Sequence, residues 1–141
     1  MKYMVIVKSG DESESGALPT EQELAEMTRY NEELVAAGVM VDGNGLLDSR
    51  SGARVKFSGK GRTTVVDGPF TETKELVAGY WILDVASRDE AIGWARRIPF
   101  ESGEVEIRKV AEDADFGEEF TPELREAEQR MRERIAEQHG G

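Results

Sequence analysis

The chain has no cysteine, and its one histidine, His139, sits in a glycine-terminated tail. Without thiols there is no disulfide, no thiolate nucleophile and no thiolate metal site. With no histidine in the body of the chain, the serines and threonines lack the base that commonly activates a hydroxyl nucleophile. Carboxylates alone favour weak sites for hard cations, so neither a metal nor any other cofactor is expected. No glycine-rich loop stands between a strand and a helix to cradle a phosphate. Positive charge is scarce as well, since 18 Lys and Arg against 29 Asp and Glu leave a net charge of −11. That balance opposes attraction to phosphate backbones and anionic lipid, which argues against nucleic-acid and membrane partners. Long apolar runs are missing too. The run nearest the N-terminus, residues 3–7, is too short for a secretory or membrane-spanning segment, and a cytoplasmic protein is the expectation.

What is present suits one folded domain, because 141 residues match the usual domain size and supply enough material for a core. The charge is uneven. Residues 1–111 carry 14 basic and 19 acidic side chains, and residues 112–141 carry 4 and 10. The expected division is therefore a body over 1–111 and an acidic connector with a C-terminal helix over 112–141.

Residues 3–7 form a β-branched and aromatic run that reads as a first strand, and the polar stretch 9–16 reads as a loop. Thr20 with Glu23 has capping-box spacing, Leu24, Met27, Asn31 and Leu34 share one helical face, and Gly38 suits the helix end. Asn31 is the odd member of that stripe. A second strand over 39–47 is interrupted by Asp42, Gly43 and Gly45, a pattern that marks a bulge or a close backbone approach. Residues 53–58 and 62–66, joined by Gly59-Lys60-Gly61, read as a hairpin. A strand over 79–85 follows, then a helix opened by Ser87 and Glu90 with Ala91, Trp94, Ala95 and Ile98 inward, stopped by Pro99. The last strand is 104–110.

This order predicts an α+β fold, a ferredoxin-like βαββαβ domain with an extra β-hairpin and a C-terminal helix. Two helices cover one side of such a sheet. The other side must be polar or meet a partner, yet Tyr3, Met4, Val5, Ile6 and Val7 are apolar on both faces. In the tail, Thr121 and Pro122 start a helix whose stripe of Leu124, Ala127, Met131 and Ile135 calls for docking, either on its own body or a second copy of the chain, with Phe116 and Phe120 anchoring the connector, or on a separate partner.

The most informative stretch is residues 67–75, D-G-P-F-T-E-T-K-E. Together with Lys2-Tyr3-Met4, residues 33–39 and the G-Y-W-I-L-D of 79–84, it resembles the DGPF subgroup of the YCII-related family over roughly the first 110 residues. The resemblance implies a dimeric α+β barrel, in which two copies face each other sheet to sheet. It does not fix a reaction. Some shorter members of the family are thought to pair a histidine on the first helix with an aspartate, but here that helix offers Met27, Thr28 and Tyr30, so a His-Asp mechanism is not expected.

Asp67 has two compatible readings. At a strand end before Gly68-Pro69 it can project into a cleft as a general acid or base, and it is also a common first residue of a turn, bonding an amide two positions on. Glu72, Lys74 and Glu75 form either a solvated loop or a cluster in which Lys74 pairs with a carboxylate or holds an anionic ligand group. Gly68, Pro69, Phe70, Thr73, Tyr80 and Trp81 complete the candidate ligand-binding set, although strand alternation lets only one of Tyr80 and Trp81 face the cleft. The expected function is a homodimer binding a small organic molecule beside 67–75, with acid/base chemistry on Asp67. The alternative is a non-catalytic regulatory module, since DGPF-type proteins are linked with alternative sigma factors.

Overall fold

In a computed structural model that describes residues 1–140, the chain divides into two compact units, Met1–Lys109 and Val110–Gly141. The first unit is built from β1 (Lys2–Lys8), a short α1 (Asp11–Glu14), α2 (Glu21–Ala36), β2 (Met40–Gly45), β3 (Ala53–Phe57), β4 (Thr63–Asp67), β5 (Val77–Asp84), α3 (Arg88–Ala95) and β6 (Val105–Lys109). A four-stranded sheet has the order β2-β5-β1-β6, and β3 and β4 form a separate two-stranded sheet. Every pairing in the larger sheet is antiparallel. β1 and β2 therefore run parallel with β5 between them, the split βαβ arrangement expected from the sequence.

Strand alternation decides which residues meet the helices. Tyr3 and Val5 of β1 and Trp81 and Leu83 of β5 are buried with Tyr30 and Leu34 of α2 and Ala91 of α3, while Val105 and Ile107 pack against them. α2 starts at Thr20, whose hydroxyl accepts from Glu23 N–H while Glu23 returns a bond to Thr20 N–H, so the capping box forms. The helix stops at Gly38, where φ is 72°, a value that favours glycine. Ser87 caps α3, but Glu90 accepts from Ala86 N–H rather than from the cap residue.

Two features of the α2 stripe differ from the reading of its spacing. Leu24 is exposed, and Tyr30 takes the inward place instead, only 5% accessible. Asn31 is no flaw, because its Oδ1 accepts from Trp81 Nε1 at 2.9 Å, which satisfies an indole donor that would otherwise be orphaned. Tyr30 meets Trp81 edge to face at 5.7 Å and donates its hydroxyl to the Trp94 carbonyl at 2.8 Å.

Burial pushes the Tyr30 phenol up from 10.0 to about 12, with Glu33 adding to the rise and Arg97 opposing it. A folded-state value above the unfolded one means that the neutral phenol favours the fold fully below pH 10. That contribution is lost as pH rises through about 12. The expected result is a urea midpoint that falls over this interval in the parent protein and falls less in Tyr30→Phe. Parallel pH curves would show that the fold does not hold this phenol neutral.

The interruption in β2 is both a bulge and a close approach. The register shifts between Met40 and Asp42, and a Cβ on Gly43 would lie 2.9 Å from Trp81 Cδ1 and 2.8 Å from Met40 Cε. The stretch 9–16 is not all loop, for α1 forms there with Ser13 Oγ accepting from Gly10 N–H.

In the second unit, Thr121 caps α4 (Pro122–Gln138) and Pro122 occupies its first turn. Phe116 and Phe120 meet edge to face at 5.6 Å, and Arg125 lies over the Phe120 ring. Leu124, Met131 and Ile135 are exposed, and Ala127 is half-buried.

Candidate functional site

The face of the sheet turned away from α2 and α3 carries the side chains left over by alternation. Met4 and Ile6 of β1 lie opposite Ile82 and Tyr80 of β5, and all four are half-buried. β2 contributes Asp42 and Asn44, paired with Ile82 and Tyr80, and β6 contributes Glu106 and Arg108. The result is an apolar stripe bordered on both sides by polar groups. On the β2 side they converge: the Tyr80 hydroxyl donates to Asp42 Oδ2 at 3.0 Å and accepts from Asn44 Nδ2 at 3.1 Å. Asn44 Nδ2 also lies 3.2 Å from Asp42 Oδ1. On the β6 side Arg108 pairs with Glu106 at 3.2 Å. An apolar floor with a few fixed donors and acceptors is the general make-up of a small-molecule site.

The motif lies at the base of the β3–β4 hairpin, and the structure shows how it is held. Gly68 N–H bonds the Gly52 carbonyl at 2.9 Å, and the Gly68–Pro69 peptide is cis. Phe70 N–H donates to Ser49 Oγ at 2.9 Å. Ser49 sits in a one-turn 3₁₀ helix, Ser49–Ser51, capped by Asp48, and the Glu14 carboxylate accepts from both its N–H and its hydroxyl. Arg50 beside Asp48 holds that carboxyl below its usual value through a side-chain hydrogen bond. Arg54 covers the Phe70 ring at 3.9 Å. Glu14 and Ser49 thus fix the motif from far upstream. Only their residue types were visible in the sequence, and a serine or a glutamate in a polar loop carries no signal of its own.

Asp67 ends β4 opposite Ala53 and is exposed. The turn bond expected from its carboxylate does not form. The position two residues on is Pro69, which has no N–H, and the next amide, that of Phe70, is taken by Ser49. Nor does its own chain bury it, as a cleft acid would require. Asp67→Ala should therefore change stability by less than about 0.5 kcal/mol, as surface substitutions usually do. A loss of several kcal/mol on thermal melting would restore the turn role.

Thr73, Lys74 and Glu75 form another 3₁₀ turn. Lys74 and Glu72 are exposed, and Lys74 belongs to none of the ion pairs among the described residues. The pairing of Lys74 with a motif carboxylate is thus not what fixes this loop, since the Ser49 and Gly52 contacts do that. Of the two neighbouring aromatics, Tyr80 is on the open face and Trp81 is in the core, 7% accessible. Trp81 therefore lies apart from the other candidate ligand residues. Two surface cavities, of about 210 Å³ at the α3–β6 turn and about 510 Å³ around Phe116 and Phe120, are lined by none of the motif residues. Among the described residues no group of three or more His, Asp or Glu is placed to hold a metal ion, and no helix is long and apolar enough to cross a membrane.

Residues 1–113 match the YCII-related domain, and the chain belongs to that family. It is 32% identical over 117 residues to an uncharacterised protein of Rhizobium meliloti (strain 1021), a match covering 79% of this chain and 93% of the relative. It is also similar to the solved structure of the 5-chloro-2-hydroxyhydroquinone dehydrochlorinase of Burkholderia phenoliruptrix AC1100 in complex with 2,5-dihydroxybenzoquinone. That similarity has a TM-score of 0.45 at 16% identity and covers 79% of this chain and 94% of that one.

Proposed function

We propose that this protein, a cytoplasmic member of the DGPF subgroup, binds a small neutral ring compound bearing a hydroxyl or carbonyl, between the open sheet faces of a homodimer. The observation that carries the reading is the Asp42–Tyr80–Asn44 network beside the half-buried stripe of Met4, Ile6 and Ile82. The stripe offers a flat apolar surface, and the network offers a carboxylate acceptor, a phenol and an amide. A second acidic surface opposite disfavours an anionic ligand. Proton transfer on the bound molecule would fall to Asp67, and its exposure in one chain means that a second copy must cover it before it acts as a desolvated acid or base.

Titration of the ¹⁵N-labelled protein with phenol and neutral ring-substituted phenols is the test. Amide shifts should centre on β2 and β5, and Tyr80→Phe should weaken the tightest of these probes by about tenfold, the effect of about 1.4 kcal/mol. Shifts confined to other surfaces would end this reading. The alternative, a regulatory module contacting a protein such as an alternative sigma factor, draws on the exposed Leu124, Met131 and Ile135 of α4. It gains if the phenols leave β2 and β5 unmoved.

A further inference from the structure

Besides the open sheet face, the β3–β4 hairpin gathers apolar residues on a face that its own chain leaves exposed. Alternation and pairing put Ala53, Val55 and Phe57 of β3 beside Asp67, Val65 and Thr63 of β4, so the face is apolar except for the carboxylate at its root. Val55 is 51% accessible, Val65 62% and Phe57 78%. A two-stranded hairpin is marginal in water unless it packs on something. The same segment is also the basic part of an acidic chain. Residues 53–67 contain Arg54, Lys56, Lys60 and Arg62 with Asp67 as their only acid, a charge of +3 against −14 for the rest of the −11 chain. Its root is fixed, because Gly68 and Phe70 are tied to Gly52 and Ser49. Along the chain it is inserted between β2, the edge strand of the larger sheet, and β5, and it forms a sheet of its own.

We infer that this hairpin is an arm that packs its Val55, Phe57 and Val65 face onto a second copy of this chain. The inference rests on the facing-sheet dimer proposed above and says what completes it. A face of four strands, 7, 6, 8 and 5 residues long, spans roughly 19 by 21 Å, or about 400 Å², from the strand spacing and rise. A stable interface takes about 800 Å² from each partner, so facing sheets alone fall well short. The arm supplies further apolar area from the segment that joins β2 to β5. Its charge opposes that of the surface it meets, so it offsets the repulsion between two chains that are each strongly negative. A second copy is the one partner that is certain to carry that acidic surface.

Sedimentation of the full chain over a range of micromolar concentrations reads the outcome. The parent protein should dimerise. The double variant Phe57→Ser/Val65→Thr should raise the dimer dissociation constant by about tenfold or more, with an unchanged far-ultraviolet spectrum because both residues are exposed. Lys60→Glu/Arg62→Glu should weaken the dimer several-fold in dilute buffer, and that difference should shrink as salt shortens the screening length. A dimer equally tight in the parent and in both variants overturns the arm and leaves the facing-sheet reading intact. A parent protein that stays monomeric throughout overturns both.

Discussion

Gly68→Ala and Gly68→Val should each lower stability by about 3 kcal/mol or more in urea denaturation, because overpacking against backbone leaves no inexpensive relaxation. A Cβ at this position would lie 1.7 Å from the Ser49 carbonyl oxygen, 2.8 Å from the Ser49 carbonyl carbon and 3.3 Å from the Gly52 carbonyl oxygen. Gly68 is not among the glycines with positive φ, so the requirement comes from this close approach and not from a left-handed backbone. To admit a methyl group the 48–52 turn must retreat. The turn is held from the other side by Glu14, and its retreat would also strip Phe70 N–H of its acceptor. Alanine should therefore be nearly as damaging as valine. If Gly68→Ala is neutral, the turn is pliable and the motif is not clamped as described.

Trp81→Ala should cost about 3 to 5 kcal/mol, the range for deleting a buried aromatic. Three losses coincide there: the edge-to-face contact with Tyr30, the hydrogen bond to Asn31, and the floor beneath Gly43. Tyr80→Phe, one residue away on the same strand, should shift stability by only about 1 kcal/mol, since it removes one partly solvated hydroxyl. Its effect should appear instead in phenol affinity. Guanidinium or urea curves for the two variants, run beside the phenol titration, separate the roles of the two neighbours. Equal destabilisation by both would mean that Tyr80 is structural and that the open face is not a binding surface.

Periodicity in the sequence determined the element order, and with it the ferredoxin-like topology. The helical spacing of Met27, Asn31 and Leu34 and the short continuous apolar runs of β1 and β5 are local properties visible in the chain. Capping chemistry determined where α2 and α4 begin, because a side-chain oxygen three residues before an orphan N–H is visible in the chain. The D-G-P-F stretch marked where the chain makes a tight turn. The sequence could not say what holds that turn, since Glu14, Ser49, Gly52 and Phe70 are brought together only by folding. Asp42 and Asn44 stayed hidden for the same reason. Asp42 read only as part of an interruption in the strand and Asn44 carried no signal, and only the register of β2 on β5 sets them around the Tyr80 hydroxyl. The choice between Tyr80 and Trp81 was likewise left to the tertiary structure. Alternation dictates that the two point to opposite sides of the sheet, but which side the helices cover is settled by packing, where Trp81 finds Tyr30 and Asn31.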